Sequence, residues 1–159
     1  MIRHLPLVVA LCLAPPTIGQ TARPVLDYTS AATIRDTCLA WAKQRGLKVA
    51  MLILVSRALP VTLAHMDGVS PAGGEIAEWK AVSAAKFGRA TADFVTMNPP
   101  AGMPNVAAMQ GGVPIYTADG ALLGGAGVSG ARPADDAACA SAGIEAAGLR
   151  PARTAPPAQ

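Results

Sequence analysis

Apolar positions recur along this chain with two different periods, and the switches between them divide it into elements. From Ser30 the pattern is helical: Ile34, Cys38 and Trp41 fall on one face at i, i+4 and i+7. Thr29 or Ser30 is placed to cap this helix, and Lys43, Arg45 and Gly46 close it. The run from Lys48 to Val55 is apolar on both faces, which predicts a strand covered on both sides. A turn at Arg57 to Leu59 leads into a second strand, Pro60 to Met66, which Asp67-Gly68 ends; Val69 to Gly74 reads as loop. Glu75 to Phe87 predicts a second long helix, stopped by Gly88. A short helix at Thr91 to Thr96 and a helical turn at Val106 to Gln110 flank the breaker-rich segment from Asn98 to Gly102. Val113 to Thr117 and Ala121 to Val128 form a hairpin around Asp119-Gly120. A last helix runs from Pro133 to Ala147, with Asp135 and Asp136 where the helix dipole favours anions.

That order predicts an α/β protein of the α+β kind, an antiparallel sheet with helices around it rather than a parallel doubly wound one. The length, 159 residues, suits one domain. Residues 1–22 read as a secretory signal: Arg3 and His4, an apolar run from Leu5 to Ala14, then a polar exit after Pro15-Pro16. The run falls short of the roughly 20 apolar residues a membrane span needs. The domain then occupies 23–149, and the Pro- and Ala-rich residues 150–159 form a disordered tail. The expected location is periplasmic or secreted.

Hydrophobic residues make up 52% of the chain but aromatics only 4%, so Ala, Val, Leu and Gly must fill the layers. The net charge of +3 comes from scattered basic residues with no stripe and no interleaved aromatics, which argues against nucleic acid as a partner. Loss of the signal removes Cys12 and leaves Cys38 and Cys139, an even pair in an exported chain. A disulfide between the first and last helices is the favoured reading, with two buried thiols as the alternative.

Candidate chemistry is sparse. Gly125 to Gly130 matches G-x-G-x-x-G, but no second parallel strand or later acidic residue follows, so a dinucleotide site is rejected. Gly125, Gly127 and Ser129 share one side of the last strand. Such a bare face accepts either a closely packed helix or a ligand on a pocket floor. The mature chain has one histidine, His65, and no H-E-x-x-H or C-x-x-C motif. One axial ligand can hold haem, so His65 is the metal candidate, with Met66, Met97, Met103 and Met109 behind it. A capped strand-end histidine is the competing reading. Asp67, His65 and Lys80 are the acid–base candidates should the protein be an enzyme, but their spacing matches no catalytic constellation.

Several segments resemble the GlcG/HbpS-like family. They are Gly111-Gly112-Val113-Pro114-Ile115, Asp119-Gly120, Gly124 to Gly130, and Asp136 to Ala140 with Gly143-Ile144. Upstream, His65-Met66-Asp67-Gly68 resembles the family's R-M-D-G turn, and Lys80 to Phe87 its K-A-x-x-A-A-x-F helix. The resemblance implies a profilin-like fold, a five-stranded antiparallel sheet with helices on both faces, and a homo-oligomer. It also implies a small-molecule ligand, haem in some members. Two departures stand out. Val55 to Pro60 lacks the family's acidic residue and turn glycine, and His65 replaces the usual arginine. The expected function is therefore exported small-ligand binding, haem foremost, at His65, Asp67, Lys80, Gly112, Pro114, Gly125, Gly127 and Ser129. An enzyme or accessory subunit for a small organic acid or corrinoid, or a ligand-free oligomeric scaffold, are the alternatives.

Overall fold

The computed structural model describes Gly19 and residues 21–153; the expected signal peptide, apart from Gly19, Thr21 and Ala22, and the tail beyond 153 lie outside these residues. Helix α1 (Tyr28–Gln44) leads into strands β1 (Ala50–Val55) and β2 (Pro60–His65). Helices α2 (Pro71–Phe87) and α3 (Thr91–Met97) follow, then β3 (Gly112–Tyr116), β4 (Leu122–Ser129) and α4 (Pro133–Ala146). The strands form one sheet in the order β2-β1-β4-β3, and every pair is antiparallel.

Among the described residues the sheet has four strands, not the five that the family resemblance implies. Among the described residues a single bridge extends it beyond β3: Tyr116 and Arg150 exchange two backbone hydrogen bonds of 2.9 Å. The next residue is Pro151, which has no N–H with which to continue a ladder. Three local expectations also change. Asp27, not Thr29 or Ser30, caps α1, its carboxylate accepting from the Ser30 N–H at 2.7 Å. That bond holds the Asp27 carboxyl below its ordinary range. Helix α2 begins at Pro71, inside the segment read as loop, because Pro71 suits the first turn and the helix keeps Gly73 and Gly74 in its body. Residues 106–110 are not helical; they run as an irregular segment pinned where the Ala107 N–H donates to the Ser83 hydroxyl at 3.2 Å.

The turn between β1 and β2 shows what its missing glycine entails. Ala58 adopts φ 60°, a left-handed conformation that costs a Cβ-bearing residue roughly 1–2 kcal/mol. The hairpin still closes, with the Val55 N–H bonded to the Leu59 carbonyl at 3.0 Å.

The two faces of the sheet are built differently. Met51 and Ile53 of β1, with Ala126 and Val128 of β4, face α1 and α4 in one continuous core. There Cys38 of α1 is bonded to Cys139 of α4, with Cα atoms 4.7 Å apart. On the other face Leu52 and Leu54 meet Ala81 and Ala85 of α2. Here the helix approaches until backbone touches backbone. A Cβ on Gly125 would stand 2.5 Å from the Ala85 nitrogen and 2.8 Å from the Ala81 oxygen. One on Gly127 would stand 2.5 Å from the Ala81 nitrogen and overlap the Ala77 carbonyl.

Gly127→Ala should therefore lower stability by about 1–3 kcal/mol, the usual effect of overpacking, read as a lower urea midpoint. The disulfide spans 101 positions, so reducing it removes a constraint worth at most about 4–5 kcal/mol in the chain-entropy picture. The Cys38→Ser/Cys139→Ser variant should melt well below the oxidised protein, and alkylation without reductant should leave both positions unlabelled by mass spectrometry.

Candidate functional site

The two ends of the sheet carry different chemistry. One end holds the start of β1 and β3 and the finish of β2 and β4, and with them His65, Asp67, Lys80, Gly112 and Ser129. Most of these groups are occupied internally. Lys80 is only 1% exposed; its ammonium donates to the Val128 carbonyl at 2.9 Å and to Asp136 Oδ2 at 3.0 Å. Asp136, 2% exposed, accepts the Ala131 N–H at 3.1 Å on its other oxygen. The pair ties α2 to α4 around the end of the sheet. Gly111, at φ 119°, leaves the room for it, since a Cβ there would lie 2.6 Å from Lys80 Nζ. Burial pushes the Asp136 carboxyl above its ordinary value, against the opposing pull of Lys80 and the Ala131 N–H.

Lys80 is thus not offered to a ligand as the sequence suggested. The bare face of Gly125 and Gly127 is filled by α2, so the helix reading prevails over the pocket floor. Gly112 is packed as well, against the Lys80 carbonyl, and its N–H donates to the Thr91 hydroxyl at 2.9 Å. Ser129 is buried. His65 and Asp67 remain exposed, and His65 Nε2 lies 3.2 Å from the Ser70 carbonyl at the foot of α2. Among the described residues no three His, Cys, Asp or Glu side chains cluster as a metal site.

The opposite end of the sheet holds an open cleft of about 440 Å³, within the range of small-molecule sites. Phe87, Arg89, Asp93, Pro114, Tyr116 and Arg153 contribute to its walls. Pro114 is the only predicted ligand residue found there. Tyr116 is buried and its hydroxyl donates to the Gly88 carbonyl at 2.6 Å, which fixes the ring where the Arg153 guanidinium lies 5.6 Å from its centroid. Gly88 ends α2 at φ 57° and turns the chain into α3, whose Phe94 meets Phe87 edge to face at 5.3 Å. Arg89 Nη1 lies 3.9 Å from the Met97 sulfur. Among the described residues neither Arg89 nor Arg153 is in a salt bridge. Sequence reasoning missed both arginines, because the cleft draws on segments far apart in the chain and forms no local motif.

An antiparallel sheet sandwiched between α2 and the α1–α4 pair places the protein among small α+β domains. The chain belongs to the family described as haem degrading protein HbpS-like, whose model matches residues 26–145. It is similar to the solved PduOC:heme complex, with a TM-score of 0.76 and 22% identity over 82% of this chain and 100% of that one. A double mutant of Streptomyces reticuli HbpS matches with a TM-score of 0.71 and 23% identity, over 88% of this chain and 97% of that one. The Klebsiella pneumoniae protein ORFY, of the DUF336 family, matches with 0.75 and 16%, over 85% and 98%. No curated protein matches significantly. No helix among the described residues is long and apolar enough to cross a membrane.

Removing one partner of the buried pair leaves an uncompensated charge in the interior. Lys80→Met should cost about 3–5 kcal/mol near neutral pH, and Asp136→Leu in the same chain should restore most of it. The sign with pH follows from burial raising Asp136: losing Lys80 removes a pull that opposes that rise, so the stranded carboxylate protonates at a higher pH in the variant, and the gap between Lys80→Met and wild type should narrow as pH falls below that higher value. Urea titrations at several pH values check both.

Proposed function

We propose that this protein is an exported haem-binding protein whose ligand seat is the cleft between Arg89 and Arg153. Membership of the HbpS-like family carries the ligand class, and a relative of the same fold was solved with haem. The unpaired guanidiniums carry the position. The residues present fit the group's periphery. Arg89 and Arg153 would take the two propionates by charge-assisted hydrogen bonds, and Phe87 and Pro114 would meet the macrocycle. Bound haem would supply redox and oxygen chemistry at its iron. The Tyr116 hydroxyl is committed to Gly88, and the Met97 thioether beside Arg89 is the side chain that would help hold the iron. The Cys38–Cys139 bond is compatible with an oxidising compartment, which supports export to the periplasm or beyond.

A second seat is favoured by one observation: His65 is exposed at the end of β2. A haemin titration separates the two. Wild type should give a saturable Soret band. Arg89→Ala and Arg153→Ala should each weaken binding roughly tenfold or more, the worth of one hydrogen bond to a charged group. Met97→Leu should shift the band, and His65→Ala should leave it unchanged. Loss of the band in His65→Ala alone would move the seat to the other end of the sheet. A flat wild-type titration would overturn the haem reading.

A further inference from the structure

We infer that this protein binds a medium-chain fatty carboxylate at the turn between β1 and β2, with the aliphatic tail in an apolar cavity and the carboxylate on Arg57. The cavity has a volume of about 340 Å³, within the range of small-molecule sites. Val25, Val55, Leu59 and Pro60 supply its apolar wall, and Ser56 and Arg57 its polar groups. It shares no wall residue with the cleft at Tyr116, so the inference does not rest on the haem reading.

The wall is held from behind. In the turn the Ala58 N–H donates to the Val55 carbonyl at 2.8 Å, and the Ser56 N–H to the Leu123 carbonyl at 2.8 Å. Ala58, in its left-handed conformation, packs against the cluster of Leu52, Leu54, Ala81 and Ala85, while its neighbours Arg57 and Leu59 stand at the cavity. Backbone outliers of this kind gather at ligand clamps. In the segment before α1, Leu26 is buried and Val25 beside it lines the cavity. Val25 is 69% and Leu59 60% exposed. A single exposed leucine is ordinary, but several apolar side chains lining one concave site form a surface that gains from an apolar ligand.

Charge selects the head group. Among the described residues neither the Arg57 guanidinium nor the Ser56 hydroxyl has a hydrogen-bond or salt-bridge partner. The acidic residue that the family resemblance places in this turn is missing, so nothing from Val55 to Pro60 neutralises Arg57. Ser56 also lines an adjoining cavity of about 360 Å³, where Arg23 is a second guanidinium without a carboxylate partner. No acidic residue lines either cavity, which disfavours a cationic ligand. No aromatic side chain lines them either, so an aliphatic tail suits them better than a flat ring. A small inorganic anion would leave Val25 and Leu59 in water. A carboxylate with an aliphatic chain satisfies both the guanidinium and the apolar wall.

Equilibrium dialysis of the purified protein against radiolabelled decanoate, below its micellar range and without haem, should show saturable binding. Arg57→Ala and Leu59→Ser should each weaken it roughly tenfold. Arg153→Ala, in the other cleft, should leave it unchanged. Acetate keeps the charge without the tail, and decyltrimethylammonium keeps the tail with the opposite charge; each should bind at least roughly tenfold more weakly than decanoate. A diazirine-bearing decanoate needs no variant: on illumination it should label Val25 or the stretch from Val55 to Pro60 in the wild type, read by peptide mass mapping. Absence of saturable binding by the wild type overturns the inference. So does equal binding of either control ligand, or undiminished binding by Arg57→Ala. Labelling confined to the Tyr116 cleft, or loss of binding in Arg153→Ala, overturns it by moving decanoate to the haem seat. A flat haemin titration leaves it standing.

Discussion

The contact between α2 and the glycine face of β4 sets the rest of the structure. Without Cβ atoms at Gly125 and Gly127 the helix backbone reaches the strand backbone, nearer than two layers of side chains would allow. Small residues, Ala77, Ala81 and Ala85, line the helix side of the contact. A long side chain has no room between those layers. Lys80 instead runs to the end of the sheet, where it meets Asp136 of α4 and the carbonyl of Val128. The close contact and the buried ion pair are thus one design. The first brings α2 down on the sheet, and the second fixes it to the layer on the opposite side.

The same contact explains why the faces are unequal. The glycines belong to β4, so α2 docks chiefly over β4; its start meets His65 at the end of β2, but Leu63 is left exposed. On the other face α1 and α4 are locked by the disulfide, and Ile34, Met51, Ile53, Ile115 and Ile144 supply the larger apolar volume that this aromatic-poor chain possesses. Removing core side chains there would open cavities. Adding a methyl on the α2 side would instead force layers apart. Large-to-small and small-to-large substitutions therefore probe different faces of one sheet.

Much of this was legible in the sequence where a single residue decides the local backbone. Gly46 and Gly88 end helices with positive φ, and Asp119-Gly120 turns the hairpin. The even cysteine pair suggested a bond between the first and last helices, and Cys38 and Cys139 are joined. What the sequence could not disclose depends on partners distant in the chain. Lys80 looked like a ligand residue because nothing near it revealed Asp136, 56 positions on. Gly73-Gly74 looked like loop because glycine disfavours helices in general, whereas here Gly73 is buried in the first turns of α2. The bare strand face admitted two readings until the helix that fills it was in place. The cleft was invisible for the same reason, since Arg89, Tyr116 and Arg153 share no motif.

The distribution of charge then separates structural chemistry from available chemistry. At the Lys80 end the cation is neutralised by a buried carboxylate, and its remaining contact is a backbone carbonyl. A ligand could engage it only by displacing Asp136, at the expense of the tie between α2 and α4. At the Tyr116 end the geometry is as firmly fixed, through the Gly88 carbonyl and the Arg150 bridge. The guanidiniums it positions, however, have no carboxylate partner among the described residues. An unpaired cation beside an open cleft costs little while hydrated, and it gains most from an anion that brings apolar surface with it. A flat apolar ring bearing carboxylates has that combination, whereas a small free anion offers the charge alone. The two ends therefore differ in kind: the sequence's conspicuous lysine is spent on holding the fold together, and it is the arginines without a carboxylate partner on which the proposed seat rests.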